Sequence, residues 1–114
     1  MAVSVVTRYP DLPAATYDQV IASLDLDANP PAGAILHVAG GGDAGFVISE
    51  IWQTEETFRA YLDYRLRPAL RTHGVLTEPT VEIAPLRNVF AADMATVERM
   101  GGVSLPATYS GAVL

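Results

Sequence analysis

The sequence predicts a single α+β domain of ferredoxin-like type, β-α-β-β-α-β in order, with a four-stranded antiparallel sheet carrying both helices on one face. Three observations carry this prediction. Four short runs are rich in valine and isoleucine, and two segments with apolar residues at helical spacing fall between them. The length of 114 residues suits one core and is too short for two. The domain is expected to occupy residues 1–90, with 91–114 as a C-terminal extension.

Ala2 to Tyr9 alternates and is rich in valine, so it reads as the first strand, closed by Pro10-Asp11-Leu12-Pro13. Thr16 with Gln19 three residues on is a capping-box pattern, and Tyr17, Val20, Ile21 and Leu24 repeat at helical spacing. The first helix is therefore expected from Tyr17 to Leu26. After the stiff Asn29-Pro30-Pro31 connector, Ala34 to Ala39 and Phe46 to Trp52 form two apolar runs around Gly40-Gly41-Gly42-Asp43-Ala44-Gly45. That is a hairpin with a glycine-rich tip. Loops that cradle phosphates join a strand to a helix, whereas this one joins two strands, so nucleotide binding is not expected there.

Thr54 can cap the second helix, whose first turn holds Glu55 and Glu56, where negative charge suits the macrodipole. Phe58, Leu62, Leu66 and Ala69 follow on one stripe. Pro68 should kink or interrupt this helix before Gly74 ends it, and His73 reads as a C-terminal cap. Thr80 to Phe90 reads as the last strand, with Pro85 marking a bulge or an edge. Met94, Val97 and Met100 suggest a short helix in the extension. Apolar residues occur on both parities of the strands, Val3 and Val5 against Val6, and Ile48 against Val47 and Ile51. This pattern predicts a sheet buried on both faces, and a second copy of the sheet is the economical cover.

Composition narrows the function. Half of the residues are hydrophobic and 18% are charged, more apolar than a monomer of this size needs, which again points to a homodimer. The net charge is −6, the seven cations are all arginines, and no basic cluster occurs, so no nucleic acid partner is expected. Zero cysteines remove disulfides, thiolate nucleophiles and cysteine-rich zinc sites. No run approaches a membrane span and no signal-peptide pattern appears, so a soluble, cytoplasmic protein with no membrane partner is expected. Two histidines without a His-x-x-x-His pair, and no tight carboxylate cluster, predict no dedicated metal site.

The residues that can carry chemistry gather on the central hairpin. With its tip centred on Gly42 and Asp43, His37 faces Ile48 and Ile35 faces Glu50, which makes His37 and Glu50 diagonal neighbours on one face. A carboxylate beside an imidazole can orient it as a general base or acid. The same two residues also read as a buried pair that satisfies its own hydrogen bonds. Trp52 shares the face of Glu50 and either closes the core or walls an aromatic-binding pocket. On the second helix Tyr61 and Tyr64 accompany Arg65, which follows Tyr61 by four residues and could stabilise a phenolate or enolate. Arg87 and Asn88 alternate on the last strand, so only one of them can reach the pocket.

With these residues in view, the sequence resembles the dimeric α+β barrel superfamily and, within it, the antibiotic-biosynthesis-monooxygenase-like proteins. The β-α-β-β-α-β order matches, and Ile48-Ser-Glu-Ile-Trp52-Gln-Thr-Glu-Glu-Thr-Phe58 is similar to that family's Glu-x-Trp strand end leading into helix two. The match spans about residues 2–90. The resemblance implies a homodimer whose two sheets form a barrel, with a ligand cavity between sheet and helices in each subunit. Some members oxidise polycyclic phenols with dioxygen and without metal or flavin; others degrade haem, isomerise lactones or cyclise polyketide intermediates. It also implies that Trp52 is a pocket residue. Two departures matter: the first strand offers Thr7, Arg8 or Tyr9 where those active sites use an asparagine, and helix two lacks the histidine of the haem degraders.

The expected function is a small-molecule enzyme of secondary metabolism, working without cofactor on an apolar, aromatic or polyketide-like substrate by oxygenation or enolate-type cyclisation. His37 is the expected proton-transfer group and Glu50 its orienter, with Trp52 and Tyr61 as walls. Tyr64, Arg65 or Asn88 would hold the polar ends of the ligand. The alternatives are a non-catalytic dimer that binds a hydrophobic ligand or regulates, and a purely structural dimer whose aromatics fill the cavity.

Overall fold

A computed structural model describes residues 1–42 and 45–100. Its elements are β1 (Val3–Tyr9), α1 (Ala14–Leu24), β2 (Ala34–Gly42), β3 (Gly45–Trp52), α2 (Glu55–Tyr61), a π-helical turn (Leu62–Leu66), α3 (Arg67–Thr72), β4 (Thr80–Pro85) and α4 (Met94–Arg99). The four strands form one sheet in the order β2-β3-β1-β4, and each neighbouring pair is antiparallel. This is the predicted ferredoxin-like α+β fold.

Alternation along β1 and β3 decides which side of the sheet is covered. Val3, Val5, Thr7 and Tyr9 of β1 are buried, as are Phe46, Ile48, Glu50 and Trp52 of β3. They pack against Val20 and Leu24 of α1, Phe58 and Tyr61 of α2, Leu62 of the π turn and Leu70 of α3. The opposite face carries Leu36, Val38 and Val47, all exposed in the single chain, together with Val6, Ser49 and Ile51.

Local chemistry sets the helix ends. Thr54 caps α2 as expected, its hydroxyl accepting from the Thr57 amide at 3.1 Å. Pro68 breaks the helical run as expected: its ring cannot fit over an α-helical carbonyl four residues back, and the preceding turn widens. In that turn the Arg67 amide bonds to the Leu62 carbonyl, five residues back. His73 ends α3, its Nδ1 lying 2.8 Å from the Ala69 carbonyl oxygen, and Gly74 follows at φ 84°, the left-handed conformation that closes a helix. In the extension, Asp93 caps α4 through a 2.9 Å bond from the Thr96 amide.

Three expectations change. The first helix begins at Ala14, not Tyr17, because Pro13 supplies a preset N-terminal φ of −68° and its carbonyl takes the Tyr17 amide at 2.9 Å. Thr16 is therefore inside the helix and caps nothing. Its far end is Leu24, where Asp25 turns left-handed at φ 51°. The last strand ends at Pro85 and not at Phe90, since proline has no amide with which to continue the ladder. In the hairpin, Gly40 to Gly42 are strand residues paired with Val47, Phe46 and Gly45, so Gly42 is not at the centre of the tip as expected, and Asp43 and Ala44 lie outside the described residues.

Candidate active site

The register of β2 against β3 places His37 directly opposite Glu50, not diagonal to it, two residues away from the register expected from the glycine run. Ile35 is the extra residue of a bulge between Ala34 and Leu36. Direct opposition brings the side chains together: His37 Nδ1 is 2.6 Å from Glu50 Oε2. Carboxylate oxygens accept, so Nδ1 is the donor. The other carboxylate oxygen, Glu50 Oε1, accepts from Trp52 Nε1–H at 3.2 Å.

The imidazole is held on its far side as well. His37 Nε2 lies 2.8 Å from the Tyr17 hydroxyl, which α1 brings over the sheet. The Tyr17 ring stacks on Phe46, with centroids 4.7 Å apart. Burial first, and then the charges of Glu50 and Asp18, push the Tyr17 phenol up to about 12, so it keeps its proton and can donate to Nε2 of the neutral ring. The result is a chain of hydrogen bonds from Trp52 through Glu50 and His37 to Tyr17.

Glu50, His37 and Tyr17 line a cavity together with Thr7, Tyr9 and Tyr61, set among apolar side chains such as Leu12, Val20, Ile48 and Phe58. Its free volume is ≈ 20 Å³, room for about one water. Burial, followed by the charge of Glu50, also raises the Tyr9 and Tyr61 phenols. Both are neutral donors at ordinary pH. A base held by a carboxylate, beside neutral phenols in an apolar surround, can accept a proton from a weak acid and steady the anion that forms.

The other sequence candidates fall around this centre in different ways. Trp52 is 2% exposed and packs on Phe58 and Tyr61; it holds Glu50 and does not itself line the cavity. Tyr61 is a cavity wall. Arg65 lies 6.0 Å from the Tyr61 ring centre, but its guanidinium is engaged with the Leu24 carbonyl at 2.9 Å, ending α1. Tyr64 is 80% exposed, on the outer side of the widened turn. Asn88 is exposed beyond the end of β4, so the alternation expected of it and Arg87 does not apply. Neither Tyr64 nor Asn88 lines the cavity. Among the described residues, no three His, Asp or Glu side chains gather as a metal site would.

Tyr17 is not expected from the sequence as a site residue, and Tyr9 stands there only with Thr7 and Arg8 as what the first strand offers in place of an asparagine; Thr7 and Tyr9 line the cavity. Tyr17 counted only as one member of an apolar helical stripe. Tyr9 had a usable signal, since it shares the buried parity of Val3, Val5 and Thr7.

Solved structures place the fold. SnoaB, a cofactor-independent oxygenase from Streptomyces nogalater, superposes with a TM-score of 0.59 at 19% identity, over 77% of this chain and 95% of that one. A candidate antibiotic biosynthesis monooxygenase from Caulobacter crescentus gives 0.59 at 16% identity, over 76% and 91%. NE2512, a protein of unknown function from Nitrosomonas europaea, gives 0.56 at 22% identity, over 79% and 92%. The chain therefore has the α+β fold of the antibiotic-biosynthesis-monooxygenase-like proteins. No sequence profile of a known family matches it. No curated protein matches it in sequence.

Proposed function

We propose that this chain is a cofactor-independent enzyme of secondary metabolism that removes a proton from an apolar, aromatic or polyketide-like substrate. The resulting carbanion then either reduces dioxygen or closes a ring by attacking a carbonyl carbon of the same molecule. The supporting observation is His37, held between Glu50 and Tyr17 at the edge of the cavity. In the neutral ring Nδ1–H is committed to Glu50, which leaves the Nε2 lone pair as the base. Tyr17 must leave Nε2 for the substrate to reach it, and that movement also makes room for a ring.

The active species is a homodimer that works in the cytoplasm, with the exposed apolar sheet face covered by a second copy. The small cavity favours a second reading, a structural dimer whose aromatic side chains fill it. Proton exchange separates the two. β-Tetralone, anthrone and a β-diketone in D2O, followed by NMR, should lose their acidic C–H signals faster with protein than without it. His37→Ala should return each rate to that of buffer while the circular dichroism is unchanged. Retained exchange in that variant would remove His37 from the mechanism, and no acceleration by the wild type would leave the structural dimer.

A further inference from the structure

Among the described residues, one buried side-chain polar atom has no hydrogen bond of good geometry: the hydroxyl of Tyr9, near which only Thr7 makes a weak contact, the smallest of the influences on the phenol. Tyr9 is 2% exposed and lines the same cavity as His37 and Glu50. A buried hydroxyl left unpaired is costly, and native proteins retain few of them. Its position is held by the backbone. At Gly45, where φ is 104°, an added Cβ would lie 2.5 Å from the Tyr9 carbonyl oxygen, so β3 can start this close to the end of β1 only through glycine.

We infer that the Tyr9 hydroxyl is the hydrogen-bond donor for the substrate oxygen on which the enolate or phenolate charge develops. This rests on the proton-transfer reading of His37 and supplies its other half. Taking a proton from carbon next to a carbonyl requires a base at the C–H and a donor at the oxygen. His37 and Tyr9 line one cavity, whose ≈ 20 Å³ suits a single oxygen atom. Negative charge developing there would face the nearby carboxylate of Glu50, so an unpaired donor is what such an oxygen lacks. The substrate class follows: an apolar ring system that leads with a ketone or phenol oxygen, and not a hydrocarbon.

Two measurements on wild type and Tyr9→Phe test this. In the first, affinity is compared for β-tetralone and tetralin, which differ in the carbonyl. Wild type should prefer the ketone by tenfold or more, and the variant should bind the two alike, because a site built to bond an oxygen discriminates against ligands lacking it. In the second, kcat/KM for exchange should fall about 10²-fold, mostly in kcat, as on loss of one oxyanion donor. The melting temperature should hardly fall, since the hydroxyl has only its weak contact with Thr7 to lose. Equal affinity of the wild type for both ligands, or an unchanged preference and rate in the variant, overturns the inference. If the wild type shows no exchange but loses its ketone preference with Tyr9→Phe, the donor stands and the proton-transfer reading falls.

Discussion

The two faces of the sheet are built from alternate residues of the same strands, and they solve opposite problems. The inner face must bury a carboxylate and a phenol under helices, and it satisfies Glu50 from both sides, by Trp52 and by His37. On the outer face Leu36, Val38 and Val47 are exposed, and Arg8 pairs with Glu82 at 3.3 Å. A charged group inside is costly unless fully bonded, so Glu50 is tied to Trp52 and His37, and among the described residues the Tyr9 hydroxyl is the buried side-chain polar atom left without such a partner. The outer-face residues Leu36, Val38 and Val47 are apolar and exposed, which suits a surface that meets another protein. On the proposed reading the inner face governs stability and chemistry, and the outer face governs association.

Substitution should separate these roles. Trp52→Ala removes a buried ring packed on Phe58 and Tyr61 and frees one oxygen of Glu50, and should cost about 3–5 kcal/mol, read from urea unfolding. A cost below about 1 kcal/mol would mean that the inner face does not depend on this packing. Val38→Asp acts on the other side. Val38 is 54% exposed in the single chain, so the fold should tolerate the charge. Burying an unpaired carboxylate at an interface is costly, and the dimer should weaken by about 10²-fold, measured by sedimentation. An unchanged association state would show that this face is not the interface.

The same contrast explains how far the sequence could be read. Element order, the Thr54 cap and the break at Pro68 depend on local side-chain chemistry, which a sequence displays directly. The hairpin register does not. Gly40 to Gly42 have no side chains to favour one pairing over another, so His37 and Glu50 were expected as neighbours but not as a direct pair; the bulge at Ile35 shifts only the pairing of Ala34 beyond them. Tyr61 and Tyr64 looked equivalent along a regular helix, yet the widened turn before Pro68 leaves one in the cavity wall and the other in solvent. Tyr17 joined the site through a contact twenty residues away in sequence, which helical periodicity alone cannot reveal.

Alkaline pH probes the inner face without mutation. The Tyr17 phenol is raised from 10.0 to about 12, first by burial and then by Glu50, so the folded state holds its proton more tightly than the unfolded state. The stability this contributes is fully present below about pH 10 and is lost as pH rises through about 12. Tyr9 and Tyr61 are shifted in the same direction by the same leading cause. Urea midpoints should therefore fall steeply above about pH 10, and Tyr17→Phe should remove part of that fall. A midpoint independent of pH over this range would mean that these phenols ionise as freely as exposed ones.

Glu82→Gln tests the outer face at its mildest. The Arg8 and Glu82 side chains are 49% and 68% exposed, and a solvated pair at such a surface is worth about 0–1 kcal/mol. Stability of the chain at low concentration should hardly change. Association is the more sensitive readout. Covered by a second copy, the pair would lose its solvent, and removing one partner would leave Arg8 with an uncompensated charge inside the interface. A larger loss of dimer than of fold stability would place the pair within the covered area. Equal, small effects on both would put it outside the contact and confine the interface to the Leu36, Val38 and Val47 side of the sheet.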